Sequence, residues 1–508
     1  MKLNYKRTLF VGFAFFLICV FWQTYDTIIP KILTDKFGLS QSLSGVVMAF
    51  DNVLALFLLP FFGALSDRSR SRHGKRTPFI VIGTLVAAVL LVSLSIADNA
   101  QLKQLDTVSR VDDPAGLSVL YDEAEDLTIT VDGEEVNVRD RFSKEEFTAI
   151  RSNDKTDHYT KYVVPTRQAY ARALTLSSSA PLIIFIILLF FLLVSMGTFR
   201  SPAVALMPDV TPKPLRSKAN AIINLMGAIG GIVVLGLGAV FGTGKPTNAL
   251  MSYTTFFGVV AAIMVICLVV FLLKVREPRL VAECEQISRE NGLDREKDMS
   301  AGEVRRLSGA ELRSLILILA SVVLWFMGYN AVTSKYSVYA GSVLALDYNM
   351  TLMIAQGAAI ISYIPIGIVS SKIGRKKTIL AGIVFLATAF LIASFMRAGS
   401  SPIVMNILFA LAGIGWATIS VNSYPMVVEL SNGANVGRYT GFYYTASMAA
   451  QTLTPILSGL LMDHIDMTAL FPYATVFVAL AFITMLLVKH GDSKPVKKTD
   501  VLEQLDVD

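Results

Sequence analysis

Charged side chains inside long apolar stretches are the residues of this sequence with the clearest chemical potential. Asp26 and Asp51 lie in two consecutive stretches, and Arg200 lies in a later one. A charge in hydrocarbon costs about 3 kcal/mol or more, so each is expected to face a polar cavity or a partner. Lys335 lies at a helix end, from which its ammonium group is expected to reach the membrane surface.

The two carboxylates are candidates for carrying a proton. Helical rise places Asp26 roughly 10 Å and Asp51 roughly 5 Å from the membrane midplane, on the same side of it. All four histidines lie outside the apolar stretches, so a proton that crosses the protein would travel on a carboxylate. Asp26 is the first candidate and Asp51 the second, and the alternative for each is a structural hydrogen-bonding acid. Arg200 is expected roughly 10 Å on the other side of the midplane, as a gate partner or a charge lining the cavity.

Neutral polar and aromatic residues accompany these charges and predict a neutral, hydroxyl-rich ligand. Trp22 and Gln23 share one helix face with Asp26, because they are spaced i, i+1 and i+4. Aromatic faces stack on the CH faces of a sugar ring, and amides hydrogen-bond its hydroxyls. Packing within the protein is the alternative role for each of these residues. The predicted substrate-binding set is Trp22, Gln23, Asn52, Arg200, Tyr329, Asn330, Trp416, Asn422 and Tyr443.

The composition indicates a membrane protein that carries these residues on helices. The chain has 508 residues, 54% hydrophobic and 17% charged, with a mean hydropathy of +0.58, whereas a soluble domain has about 25% charged residues. Twelve windows have the roughly 20 apolar residues that a transmembrane helix needs. The first window resembles a signal peptide but lacks a cleavage site, so it is expected to remain as a span. The sequence therefore predicts an all-α fold of twelve transmembrane helices.

The predicted spans fall into two halves of six. The first half is residues 1–275 and the second is 315–490, with a linker at 276–314 and a tail at 491–508. Lys and Arg cluster in the short loops on one side, which predicts cytoplasmic N- and C-termini. Residues 98–180 form a polar insert on the opposite side. Its run LTITVDGEEVNV alternates around Asp132-Gly133 and predicts a hairpin in a small β-containing cap, either a lid or a tolerated surface insertion.

A repeated basic loop indicates that the halves arose by duplication. The run GALSDRSRSRHGKRTP begins at Gly63, and GIVSSKIGRKK begins at Gly367, each after the second span of its half. Asp67 is expected to cap a helix and to pair with arginines, in a contact that latches the two halves together. In the second copy its place is taken by Ser371. The predicted gate residues from these loops are Gly63, Asp67, Arg68, Arg72, Gly74, Lys75, Arg76, Gly374 and Arg375.

These motifs resemble the major facilitator superfamily, and in particular the branch of glycoside–pentoside–hexuronide symporters and sucrose transporters. SDRSRSRHGKRTPFI is similar to the extended loop of that branch, and the stretch from Arg200 to Gly231 is similar to its spans 4 and 5. Asp209 and Arg216 fall on the acidic and basic places of that stretch and join the predicted gate. The insert at 98–180 lies outside the resemblance.

The resemblance implies sugar transport, with two departures that bear on mechanism. Val204 stands where the plant transporters have Arg. Ala55 and Leu59 stand where sodium-coupled relatives have two Asp residues, which favours H⁺ over Na⁺ as the coupling ion. Asp26 resembles the span-1 acid of proton-coupled sugar porters.

The resulting expectation is proton-coupled symport of a neutral disaccharide or glucoside, such as sucrose or maltose, by a monomer in the plasma membrane. No cofactor, metal or nucleic acid is expected. The alternatives are a sugar facilitator or exporter, a sodium-coupled glycoside symporter, or a non-transporting receptor. The sequence contains no nucleophile–base pair or nucleotide-binding loop, so an enzyme is not predicted.

Overall fold

The computed structural model describes residues 3–109, 113–131, 134–153, 155–212, 215–290, 308–430 and 436–492. Ten helices in this part of the chain are long and apolar enough to cross a membrane. Two more, Tyr348–Ile373 and Val436–His464, are 26 and 29 residues long and pack among them. The described residues thus contain twelve long helices, in agreement with the predicted number of membrane spans.

The long helices of the first half are α1 (Tyr5–Lys31), α2 (Gln41–Asp67), α3 (Thr77–Gln104), α8 (Ala180–Val210), α9 (Arg216–Phe241) and α10 (Thr254–Lys274). Those of the second half are α12 (Gly309–Tyr339), α13 (Tyr348–Ile373), α14 (Arg375–Ala393), α15 (Pro402–Val428), α16 (Val436–His464) and α17 (Leu470–Leu486). Capping side chains fix the first residues of two of these helices. Ser40 caps α2, and Ser308 forms a capping box with Glu311 at α12.

The packing of helices in the first half is repeated in the second. In the first half α1 packs against α9 and α10, α3 against α8 and α10, and α2 against α8. The corresponding pairs of the second half are α12 with α16 and α17, α14 with α15 and α17, and α13 with α15. The halves meet where α2 packs against α16, α9 against α13 and α1 against α12. This repetition is the architecture that the two basic loops predict.

The insert folds as a small, mostly helical unit with its own apolar core. It contains α4 (Pro114–Glu123), α5 (Val138–Arg141), α6 (Lys144–Ala149) and α7 (Val164–Ser177). Strands β1 (Ile129–Val131) and β2 (Glu134–Val136) pair antiparallel, with Ile129 opposite Val136. The hairpin is therefore confirmed, although the turn at Asp132-Gly133 lies outside the described residues. The core of the unit is formed by residues such as Leu117, Phe147 and Tyr159.

The linker contains a helix that sequence analysis did not predict. α11 (Glu277–Glu290) follows α10 directly and packs against α8. Below, the end of the bundle that carries the loop Gly63–Pro78 and α11 is called the basic end. The opposite end, which carries residues 98–180, is called the insert end.

Candidate functional site

A cavity of about 410 Å³ lies between the two halves, near the middle of the bundle. Trp22, Gln23 and Asp26 line it from α1, and residues of α12, α13 and α15 line the other side. The rings of Tyr329 and Trp416 are stacked there, with centroids 3.7 Å apart and planes 5° from parallel. The cavity thus combines a carboxylate from one half with an aromatic platform from the other.

A second cavity of about 190 Å³ brings together the three charged residues that sequence analysis placed in the cores of the spans. Asp26, Asp51 and Arg200 all line it. The guanidinium carbon of Arg200 lies 5.0 Å from the centre of the Trp22 ring, and Asn52 Nδ2 donates to Asp51 Oδ1 at 2.8 Å. Sequence analysis left Arg200 as either a gate partner or a charge lining the cavity, and its place in the lining agrees with the second alternative.

Several polar atoms in the larger cavity have no hydrogen-bond partner among the described residues. They are Trp22 Nε1, Asn330 Nδ2 and Gln356 Oε1, which are all buried. Gln356 Nε2 donates to Gln23 Oε1 at 2.5 Å, and this bond joins the two halves across the cavity. Unsatisfied buried donors and acceptors are costly, and they are therefore typical of ligand sites. Gln356 was not in the predicted binding set, because its sequence position gives no indication of which helix face is turned inward.

Two members of the predicted binding set lie elsewhere. Asn422 does not line either cavity; its Nδ2 donates to the Thr418 carbonyl at 2.9 Å, and its Oδ1 accepts from Ser370 Oγ. Tyr443 packs on α15, where its hydroxyl contacts Ser423 Oγ at 2.9 Å. Asn422 bonds within α15 and to α13, and Tyr443 bonds to α15, so the structure does not support substrate contact for either.

At the basic end, Arg76 is the centre of an ion-pair network. Its Nη2 lies 2.5 Å from Asp67, its Nε lies 2.8 Å from Asp209, and its Nη1 donates to Ser66 Oγ at 2.5 Å. These partners lie on α2 and α8, so the network joins helices of one half. The predicted pairing of Asp67 with an arginine of the loop is confirmed, but in this conformation the pair does not join the two halves. The other predicted gate cations Arg68, Arg72 and Lys75 are exposed, and the side chain of Arg216 lies outside the described residues.

A carboxylate that sequence analysis missed caps α3. Glu277, at the start of α11, is 2% exposed. It accepts hydrogen bonds from the backbone amides of Lys75, Arg76 and Thr77 at 2.7 to 3.1 Å, and from Thr77 Oγ1 at 2.7 Å. Asp67 was predicted for this kind of role. The cap comes instead from a residue about 200 positions later, because α11 folds back onto the loop.

The second half repeats this arrangement. Asp492 Oδ1 accepts from the Arg375 amide at 2.7 Å, and Arg375 Nη1 lies 2.9 Å from Glu429. Gly74 has φ +109° and Gly374 has φ +95°, which are backbone conformations that favour glycine and turn the chain into α3 and α14. The sequence signal that could have predicted these caps is an acidic residue shortly after the sixth span of each half, Glu277 in the first and Asp492 in the second.

At the insert end, charged groups join the two halves. Asp463 of α16 accepts from the amides of Gln41 and Ser42 at 2.7 Å each, and so caps α2. Lys335 is fully buried, and its Nζ donates to the Gln41 carbonyl at 2.5 Å. The expectation that Lys335 reaches the membrane surface was wrong, since the contact between halves encloses it. Among the described residues, the hydrogen bonds between halves lie at this end or at the level of Gln23 and Gln356.

Comparison with known families decides what this architecture is. The family model of the Major Facilitator Superfamily matches residues 169–364 and 347–505. The chain belongs to the Major Facilitator Superfamily. A further model, described as MFS/sugar transport protein, matches residues 10–102. Membership places the chain among membrane transporters and not among enzymes, and it confirms the resemblance found in the motifs.

Curated relatives match over short stretches. A putative glycoside/cation symporter, YagG of Escherichia coli (strain K12), is 34% identical over 71 residues, which are 14% of this chain and 15% of the relative. This match agrees with the glycoside–pentoside–hexuronide branch. The MFS-type transporter ppzB of Metarhizium rileyi (strain RCEF 4871) is 25% identical over 124 residues, 24% of this chain and 25% of the relative. The aligned stretches thus span a quarter or less of these relatives.

Solved structures share the fold over nearly the whole chain. The xylose transporter XylE from E. coli, in an inward open conformation, has a TM-score of 0.60 at 14% identity, with 99% of both chains covered. A peptide transporter, POT, in complex with sulfate, has a TM-score of 0.57 at 12% identity, with 95% of this chain and 93% of that chain covered. At these identities the likeness concerns the fold.

Proposed function

We propose that this protein is a proton-coupled symporter for a neutral sugar, with a disaccharide or glucoside such as sucrose or maltose as substrate. The observation that carries the proposal is the cavity between the halves. It places the carboxylate of Asp26 opposite the stacked rings of Tyr329 and Trp416. A volume of about 410 Å³ lies within the usual range for small-molecule sites, about 300–1,000 Å³.

The lining suits a neutral, hydroxyl-rich ligand. The donors Trp22 Nε1 and Asn330 Nδ2 and the acceptor Gln356 Oε1 have no partner among the described residues and can bond sugar hydroxyls. The stacked rings of Tyr329 and Trp416 give the lining an aromatic surface against which a sugar ring can pack. Similarity to a putative glycoside/cation symporter and to the MFS/sugar transport model supports the same substrate class.

The charges of the smaller cavity support coupling to a proton. With Asp26 and Asp51 ionised and Arg200 protonated, the three side chains sum to −1. One proton on either acid makes the group neutral. A neutral group costs less to enclose between closed halves than a charged one does, so the loaded carrier would change conformation more easily. Asp26 is the first candidate for the proton carrier, because it borders both cavities.

Transport would proceed by alternating access, with the two halves rocking about the cavity. Contacts between halves at the insert end give a conformation closed on that side. We assign the basic end and both termini to the cytoplasm, because Lys and Arg are concentrated there. The protein would act as a monomer in the plasma membrane, since the cavity lies within a single chain.

Uptake of labelled sucrose and maltose into proteoliposomes tests the proposal. Wild-type protein is expected to accumulate one of the sugars when an inward proton gradient is imposed, and not when a sodium gradient replaces it. Asp26→Asn is expected to abolish accumulation but to retain sugar exchange. Glu285→Gln, on the exposed face of α11, removes a carboxylate away from the cavities and serves as the control.

Each other outcome has a defined meaning. Equal flux with and without the proton gradient would identify a facilitator and make Asp26 a structural acid. Accumulation driven by a sodium gradient would identify Na⁺, and not H⁺, as the coupling ion. Absence of flux for both sugars, together with unchanged tryptophan fluorescence on adding them, would exclude both as substrates and reopen the identity of the substrate, since Trp22 and Trp416 line the cavity.

A further inference from the structure

The insert is fixed firmly to the first half. Both of its ends continue into helices of that half, α3 and α8. Helix α7 packs against the π-helical turn Ile32–Lys36, which extends α1. Beneath it, Lys36 Nζ lies 2.5 Å from Asp98 Oδ1, and both side chains are fully buried. The insert must therefore move together with the first half.

Two polar residues of α7, Arg167 and Gln168, hold the end of α1 in place. Asp35 is almost completely buried, at 3% exposure. Gln168 Nε2 donates to Asp35 Oδ1 at 3.0 Å, and Arg167 Nη2 lies 3.6 Å from the same oxygen. The other oxygen of Asp35 lies 3.6 Å from Lys31 Nζ. The insert thus positions Asp35, and Asp35 in turn positions the buried ammonium of Lys31.

The second half completes this junction. The insert segment Tyr159–Val163 packs against Ala340–Leu344, the π-helical turn that extends α12. Lys31 Nζ lies 6.0 Å from the ring centre of Tyr348 and 3.8 Å from the point where a Cβ on Gly341 would stand. The first half, the insert and the second half therefore meet around one buried lysine.

We propose that the insert is a gate element, which holds the insert end closed through Lys31 and through the contact of Tyr159–Val163 with Ala340–Leu344. When the halves rock apart at this end, the insert stays with the first half. Both contacts with the second half must then break, and Lys31 becomes hydrated. The junction therefore sets how often the central cavity opens on the insert side. This inference does not depend on which substrate or ion the protein carries.

A native cysteine can report the opening. Cys19 lines the larger cavity, and the other two cysteines, Cys267 and Cys284, can be replaced by Ser. A charged, membrane-impermeant methanethiosulfonate is added from the insert side of oriented membrane vesicles without sugar. The rate of Cys19 modification then measures the population open at that end.

Opposite charges at Gly341 give a matched pair of variants. Space for a side chain exists there, because the nearest atom to a new Cβ is Lys31 Nζ at 3.8 Å. Gly341→Asp adds an attractive partner for Lys31 and is expected to slow labelling about tenfold, whereas Gly341→Lys is expected to accelerate it about tenfold. Equal rates, or shifts in the same direction, would overturn the proposal.

A second arm tests the insert itself. Arg167→Gln removes a charge that holds Asp35 and is expected to accelerate labelling of Cys19 severalfold. Arg167→Lys keeps a positive charge at this position, so its labelling rate is expected to lie between those of Arg167→Gln and the wild type. Lys144→Gln is the control, since it removes a cation from an exposed ion pair with Asp122 elsewhere on the insert. Labelling of Arg167→Gln at the rate of Lys144→Gln, with both proteins monodisperse, would refute the role of the insert.

Discussion

Removing the carboxylate of Glu277 tests the cap that joins α11 to α3. This carboxylate is almost fully buried and accepts hydrogen bonds from three successive backbone amides and one hydroxyl. The amides are those of Lys75 and Arg76, which directly precede α3, and of Thr77, its first residue, where the helix dipole also favours a negative charge. Glu277→Gln keeps the size of the side chain, removes its charge and leaves one acceptor oxygen.

The expected loss of stability follows from these contacts. A hydrogen bond to a charged group contributes about 1.5–3 kcal/mol, but bonds to the same carboxylate are not additive. The amide of Gln retains one acceptor but turns a donor toward the amides of the loop. We therefore expect a loss of about 2–4 kcal/mol, which for a chain of 508 residues corresponds to a fall in melting temperature of about 2–4 °C.

Thermal unfolding of the purified protein in detergent, followed by tryptophan fluorescence, measures this difference. Glu285→Gln lies on the same helix, where Glu285 is 63% exposed and 3.9 Å from Arg289. Its melting temperature is expected to change by less than about 1 °C, as is usual for exposed pairs. Equal changes for Glu277→Gln and Glu285→Gln would show that the cap does not stabilise the bundle.

Three further changes probe other contacts. Asp98→Asn leaves the buried ammonium of Lys36 without its counter-charge and should lower the free energy of unfolding by about 3–5 kcal/mol. The loss would be measured as a lower yield of monodisperse protein. A yield and a melting temperature equal to those of the wild type would contradict this. Gly231→Ala places a Cβ 2.8 Å from Gln356 Oε1. Sugar affinity, measured by fluorescence titration, should fall about tenfold while the melting temperature stays unchanged. An unchanged affinity would exclude the Gln356 amide from the site. Asp463→Ala removes two hydrogen bonds of 2.7 Å between the halves and should accelerate thiol labelling from the insert side about tenfold; an unchanged rate would show that this cap does not hold the halves together.

The sequence alone determined the number of spans, their division into two halves and the presence of rare intramembrane charges. These features are local, because the length of an apolar run and the cost of a charge within it depend on neighbouring residues only. Helical rise also placed Asp26 and Asp51 at comparable depth, and both border the same cavity. The paired loops at Gly63 and Gly367 indicated the duplication that the repeated helix packing displays.

The tertiary structure decided which side chains meet. Depth follows from position along a helix, but the direction in which a side chain points depends on how the helices rotate and pack. For this reason Gln356 faces the cavity whereas Asn422 and Tyr443 bond within the second half. Contacts between residues far apart in the chain likewise could not be predicted from local sequence patterns. Glu277 caps a helix that begins 200 residues earlier, and Lys31 is enclosed only when the two halves and the insert come together.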